Sequence, residues 1–179
     1  MVFTETKLKG AFIIDLDKHE DERGFFARTF CVEEFQARGL NARLIQCSVS
    51  FNRKRGTLRG MHWQESLQAE CKLVRATHGA IHDVIIDLRR GSPTFKQHVA
   101  VELTAENRRQ VYVPEGFAHG FQTLADETEI FYQMSAAYAP GLTRGLRWND
   151  PAFGITWPDV GQRILNERDA SYPDFQEES

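Results

Sequence analysis

The chain has 179 residues, enough to bury one core without disulfide or metal staples, and we expect a single domain over 1–179 with an acidic tail fraying from about 174. Its 22 basic and 25 acidic residues leave a net charge of −3, so no basic field directs it to nucleic acid. Three scattered cysteines with no C-x-x-C pair, no leader-like N-terminus and no apolar run of membrane length point to a cytoplasmic protein without a membrane partner.

In chain order, strand-like stretches begin with KGAFIIDL and GFFARTF. VEEFQARG follows as the best helix candidate, with acids in its first turn, Arg38 near its end and Gly39 as a stop. ARLIQCSVSF, GTLRGMHWQ, CKLVRATHG and AIHDVIIDLR come next, then KQHVAVEL, RRQVYVPEG, HGFQTL, TEIFYQMS and GLRWND. In IHDVIIDL one face carries His82, Val84, Ile86 and Leu88, while Asp83 and Asp87 share the other with Ile81 and Ile85. A further helical turn is expected near Asp150 or Glu167. So many short strands with Gly and Pro turns predict an all-β jelly-roll sandwich or barrel with a few short flanking helices.

Several polar residues stand where burial is costly. In LRGMHWQ, strand parity sends Arg59 and His62 to opposite faces, so both can line one cavity only if the strand is irregular, with Gly60 the least costly place for a bulge. The plainer alternative is a half-buried His62 hydrogen-bonded to a neighbour. Lys72, entering the apolar CKLV, can snorkel from an edge, and Tyr132 in EIFYQMS can be core with a tethered hydroxyl. Asp169, before a turn, can be a cap. In VPEGFAHGF, Pro114, Gly116 and His119 resemble the second motif of the cupin superfamily, whose histidine points into a barrel. The stretch matching the first cupin motif reads His62-Trp63-Gln64-Glu65 and lacks a second histidine. Two histidines fall short of a catalytic zinc site, so no metal is expected. The chain contains no G-x-G-x-x-G, Walker A or G-x-S-x-G sequence.

DERGFFARTF, LRGMHWQ, CKLV, DVIIDLRRGSPTF, VPEGFAHGF, WNDPAFGITWP and the late Asp169 occur in one order. Together, over about residues 3–173, they resemble the dTDP-4-dehydrorhamnose 3,5-epimerase family of deoxysugar-nucleotide epimerases. The resemblance implies a cupin jelly roll, a homodimer, no cofactor, and a nucleotide-diphosphate-linked 4-keto-deoxysugar as substrate. It implies His62 as general base, Asp169 as its orienting partner, Lys72 at the C4 oxygen with help from His119, and Tyr132 as proton donor on the opposite face. Arg23 and Arg59 would grip the diphosphate, and Phe26 would join them in substrate binding. Arg28, Gln46, Ser48, Tyr138, Thr143 and Arg168 fall at the remaining substrate positions.

Several of these depart from the family pattern. Arg28 stands where glutamate is usual, Gln46-Cys47-Ser48 where Q-x-N is usual, Thr143 where an acid is common and Arg168 where lysine is common. Ala136-Ala137-Tyr138 replaces a run such as Asp-Tyr-Tyr. A donor-only guanidinium at 28 reverses the hydrogen-bonding pattern of a carboxylate, so the expectation is epimerase chemistry on another nucleotide, such as GDP or CDP. Alternatives are a single-centre epimerase, a ketoisomerase, and a non-catalytic sugar-nucleotide binder on the same barrel.

Overall fold

The structure, a computed structural model, describes residues 1–176, Ser66 through its backbone only. The strands are β1 (Val2–Glu5), β2 (Phe12–Asp15), β3 (Lys18–Asp21), β4 (Gly24–Ala27), β5 (Gln46–Asn52), β6 (Leu58–Gln64), β7 (Lys72–His78) and β8 (Ala80–Asp87). They continue as β9 (His98–Thr104), β10 (Gln110–Val113), β11 (Phe117–Thr123), β12 (Thr128–Met134) and β13 (Thr143–Gly145). Two short helices flank them, α1 (Val32–Gln36) and α2 (Glu167–Ser171). Among the described residues no helix is long and apolar enough to cross a membrane.

Two antiparallel sheets face each other as a jelly roll. One has the order β1-β2-β10-β7-β12-β5, the other β13-β6-β11-β8-β9, and β3 pairs only with β4 in a separate hairpin. The period-2 pattern decides what lies between them. Val74 and Ala76 of β7, Ile81 and Ile85 of β8, Phe117 and Phe121 of β11 and Ile130 of β12 close into one buried cluster inside the barrel. The outer face of the smaller sheet is also buried. There Val84, Ile86 and Ala118 meet Leu146, Phe153 and Trp157 of the segment after β13, which is why β8 has apolar residues on both sides. On the larger sheet, Phe35 of α1 and Leu40 cover Ile14, Leu73 and Tyr112.

Gly39 follows α1 at φ +69°, as its stop position requires. The helical turn at Glu167 forms, and the chain after Asp150 makes turns instead. In GLRWND the strand ends at Gly145; Leu146 still exchanges both backbone hydrogen bonds with Met61, at 2.9 and 3.2 Å, and its side chain packs on the outer face of the smaller sheet beside Trp148. β1 and the wholly polar β3 carry no apolar alternation that would mark them as strands. The tail is held further than expected: Asp174 pairs with Arg147, and the Phe175 N–H donates to Asp150 Oδ2 while its ring packs 5.3 Å from that of Phe153. Residues 177–179 of the expected tail lie outside the described residues.

Candidate active site

The side chains that fill the apolar end of the barrel share their strand faces with polar ones nearer its mouth. Lys72 lies on the face of Val74, Tyr132 on that of Ile130, His119 on that of Phe117 and Phe121. They surround a cavity of about 340 Å³ that Arg59, His62 and Asp169 also line.

β6 enters it irregularly. Opposite β11, His62 pairs with His119 but Arg59 pairs with Phe121, so three steps of β6 match two of β11. Gly60 takes up the difference at φ +124°. A Cβ there would lie 2.5 Å from the Cα of Gly120, so the two strands touch backbone to backbone. The irregularity brings Arg59 and His62 to one cavity.

His62 Nε2 and Asp169 Oδ1 are 2.7 Å apart, and Asp169 Oδ2 accepts from the Gly60 N–H at 3.1 Å. Asp169 is 1% exposed, and its own N–H donates to Asn166 Oδ1 at 2.7 Å at the start of α2. Burial opposes ionisation of the Asp169 carboxyl, yet the bonds to His62 and Gly60 and the nearby Arg168 charge together hold it below its ordinary value. An ionised Asp169 fixes a proton on Nε2, leaving Nδ1 as the nitrogen that can accept one.

On the same sheet, His119 Nε2 lies 2.7 Å from Asp83 Oδ2, with both residues buried. The His119 ring meets that of Tyr132 edge-on, centroids 6.0 Å apart. Burial first and the Asp83 charge second push the Tyr132 phenol far above its ordinary value, against an opposing pull from Arg59. Tyr132 is therefore a protonated donor, and it stands on the larger sheet while His62 stands on the smaller.

Lys72 Nζ is 3.2 Å from Glu70 Oε1, both nearly buried. Glu70 lines the cavity and also accepts from Gln64 Nε2, whose Oε1 takes the Ala139 N–H at 2.6 Å. The ion pair thus joins the loop bearing Tyr138 and Thr143, both on the cavity wall. Neither Glu70 nor Gln64 was anticipated as a site residue; the available signal was an acid two residues before a lysine, equivalent in parity on an extended segment.

At the mouth, Arg59 Nε donates to Asn52 Oδ1 at 2.8 Å and Arg168 Nε to the Tyr172 hydroxyl at 2.6 Å. Among the described residues neither guanidinium has a carboxylate partner, so both charges are open to an anion. No group of three or more His, Cys, Asp or Glu among the described residues is arranged to hold a metal ion.

Five expected positions do not reach this cavity. Gln46 and Ser48 lie on β5; Gln46 Oε1 accepts the Tyr138 N–H, and Ser48 sits opposite Tyr132 in the ladder. Arg23, Phe26 and Arg28 lie on or beside the β3–β4 hairpin, outside both main sheets. Arg23 folds back on Asp21, Phe26 is 77% exposed, and Arg28 pairs with Glu34 at 3.3 Å. Sequence order places them near the site motifs, but the hairpin joins neither main sheet and none of the three lines the cavity.

A cupin jelly roll with an oriented histidine on one wall and a protonated tyrosine and a lysine on the other defines the class of proton-transfer isomerases. The sequence profile of dTDP-4-dehydrorhamnose 3,5-epimerase matches residues 5–177, and the chain belongs to that family. It is 42% identical over 177 residues to the dTDP-4-dehydrorhamnose 3,5-epimerase of Methanothermobacter thermautotrophicus, covering 98% of this chain and 95% of that one. The enzyme of the same name from Sinorhizobium fredii is 41% identical over 177 residues, covering 99% and 91%. The crystal structure of the Bacillus anthracis enzyme, with TDP and pyrophosphate bound, superposes with a TM-score of 0.92 at 38% identity, over 97% of this chain and 99% of that one.

Proposed function

We propose that this epimerase inverts both C3 and C5 of a dTDP-linked 4-keto-6-deoxy sugar, as one cytoplasmic domain spanning 1–179. The observation that carries the reading is the placement of His62 and Tyr132 on opposite sheets of one cavity. The hydrogens on C3 and C5 lie α to the C4 carbonyl. His62 Nδ1 takes one as a proton, with Asp169 stabilising the imidazolium that forms. The electron pair moves to the C4 oxygen, where the Lys72 ammonium and His119 meet the developing charge. Tyr132 then gives its proton to the carbon from the other side, and the centre is inverted. Arg59 and Arg168 hold the diphosphate at the mouth.

Thymidine is supported by the names of the relatives and by Arg28 itself. Its guanidinium is paired with Glu34 of its own chain, which weakens the expectation of a GDP- or CDP-reading arginine. A homodimer is supported by the hairpin. Arg23 and Phe26 can bind substrate only in the cavity of a second copy, and the exposed apolar side chains of Ile45, Val49 and Phe51 along β5 offer it a surface. Three free cysteines accord with a reducing compartment.

The test is proton NMR in D₂O with dTDP-, GDP- and CDP-linked 4-keto-6-deoxy sugars, each incubated separately. Exchange and inversion at C3 and C5 on the dTDP sugar are expected. Preference for GDP or CDP would overturn the base assignment, reaction at one carbon the double inversion, a displaced carbonyl the epimerase reading, and silence on all three the catalytic reading.

A further inference from the structure

Asp83 has no place in the chemistry above, yet it lies 1% exposed on the inner face of β8 between the core residues Ile81 and Ile85. An apolar side chain would pack there at no electrostatic cost, whereas a carboxylate in such surroundings is expensive unless its oxygens are satisfied. Only one is. Oδ2 binds His119 Nε2 at 2.7 Å, while Oδ1 is buried without a hydrogen-bond partner among the described residues. The Tyr132 hydroxyl likewise makes no hydrogen bond among the described residues, and the Tyr132 ring packs on His119.

We propose that Asp83 is the positioning residue of the proton-donating wall, acting through His119 and Tyr132 as Asp169 acts through His62. The proposal rests on the assignment of Tyr132 as the acid. His62 and His119 are directly opposed in the β6–β11 ladder, and each binds one buried aspartate through Nε2. The two histidine–aspartate pairs differ in where they face. His62 is 32% exposed at the side chain and open to the cavity, while His119 is 5% exposed and wedged beneath Tyr132. Asp83 therefore fixes the ring on which Tyr132 rests.

Its charge has a second consequence. When Tyr132 protonates the carbon, its O–H bond breaks as the C–H bond forms, leaving a tyrosinate that solvent water reprotonates. The charged and titratable groups that line the cavity with Tyr132 are Arg59 and His62 from β6, Glu70, Lys72 from β7, His119 from β11, Tyr138, and Arg168 and Asp169 from α2, with Asp83 of β8 bound to His119. Of the three anions, Glu70 is paired with Lys72 and Asp169 with His62, and Asp83 is the one whose charge acts on the Tyr132 hydroxyl. The Asp83 charge disfavours the tyrosinate, so Tyr132 stays protonated at rest and remains a competent donor to higher pH.

The experiment compares Asp83→Asn with wild type for deuterium exchange, inversion and dTDP binding. Exchange at C3 and C5 depends first on His62 and Lys72 and less on His119, so it is expected to fall by about threefold at most, while inversion falls about tenfold or more, with dTDP affinity within about twofold. The alkaline limb of the inversion rate moves to lower pH. Equal losses of exchange and inversion, or an unmoved alkaline limb, would reduce Asp83 to a packing role and overturn the proposal. If Asp83→Asn does not fold, Asp83→Ser, smaller and also uncharged, is measured by the same readouts, and the same outcomes uphold or overturn the proposal. Failure of the parent assignment is separable: Tyr132→Phe would then invert normally, whatever Asp83→Asn does.

Discussion

Replacing Asp169 by asparagine exchanges one oxygen for an NH₂ group and tests the base assignment directly. The carboxylate is 1% exposed and binds His62 Nε2 at 2.7 Å and the Gly60 N–H at 3.1 Å. An asparagine fits the same space and can keep one of those bonds by accepting from Gly60. Its NH₂ then faces His62 Nε2, which becomes an acceptor, and the ring proton moves to Nδ1, the atom that has to take the substrate proton. The counter-charge for the imidazolium is lost as well. A wrong tautomer without its carboxylate costs about 10³–10⁴ in kcat, about 4–5.5 kcal/mol of transition-state stabilisation. dTDP affinity should hold within about twofold, since Asp169 faces the imidazole and not the phosphates. The assay is deuterium incorporation at C3 and C5 beside a dTDP titration. Exchange within tenfold of wild type would refute the reasoning, because Nδ1 could not then be the base under Asp169 control.

Three further outcomes follow from the same geometry. Gly60→Ala should lower stability in urea unfolding by about 3 kcal/mol or more, because its Cβ meets Gly120 Cα at 2.5 Å and φ is +124°; a loss under 1 kcal/mol would count against the close strand contact. Burial opposes ionisation of Asp87, but the bonds from Arg89, Ser92 and Thr94 outweigh it and hold its pKa at about 2, below the ordinary carboxylate value. Its folded value is depressed, so its contribution of about 2 kcal/mol is present above pH ~4 and lost as pH falls toward ~2, and Asp87→Asn should flatten acid unfolding in that window. Mixing Arg23→Ala with His62→Ala subunits, after dissociation and reassociation, should restore about a quarter of wild-type sites if the hairpin serves the partner's cavity; no gain over the separate variants would assign Arg23 to its own chain or to none.

The strands of the barrel were legible because each is long enough for period 2 to show and is buried on at least one face. In AIHDVIIDLR the two faces separate as parity sorts them, with Ile81 and Ile85 in the inner cluster and Val84 and Ile86 in the outer one, although the strand ends at Asp87. KHED carries no such signal, since its burial pattern is exposed throughout and its only partner is β4. The motifs located His62, Lys72, His119, Tyr132 and Asp169 in one cavity although up to 107 residues separate the bonded pair. They could not say which chain Arg23 and Phe26 serve, because a sequence orders residues along one chain and a hairpin can project away from it. Glu70 escaped notice for a different reason. Its parity with Lys72 was visible, but its partnership depends on Gln64 and the loop after β12 closing over both.

The least conspicuous residues constrain the site most. Arginine and histidine at positions 59 and 62 have the right chemistry, but a regular strand puts an odd separation on opposite faces, one toward the cavity and one toward the outer cluster of Leu58 and Met61. Only a backbone that gains a residue against its neighbour brings both to one side, and β6 can do this because Gly60 accepts φ +124° and faces Gly120 without a Cβ on either strand. The same Gly60 gives its N–H to Asp169 Oδ2. The bulge that aims Arg59 at the mouth therefore also anchors the carboxylate that orients His62. Phosphate grip and base orientation are mechanically one element, so a substitution at Gly60 or Gly120 is expected to weaken both together, whereas substitutions at Arg59 or Asp169 separate them.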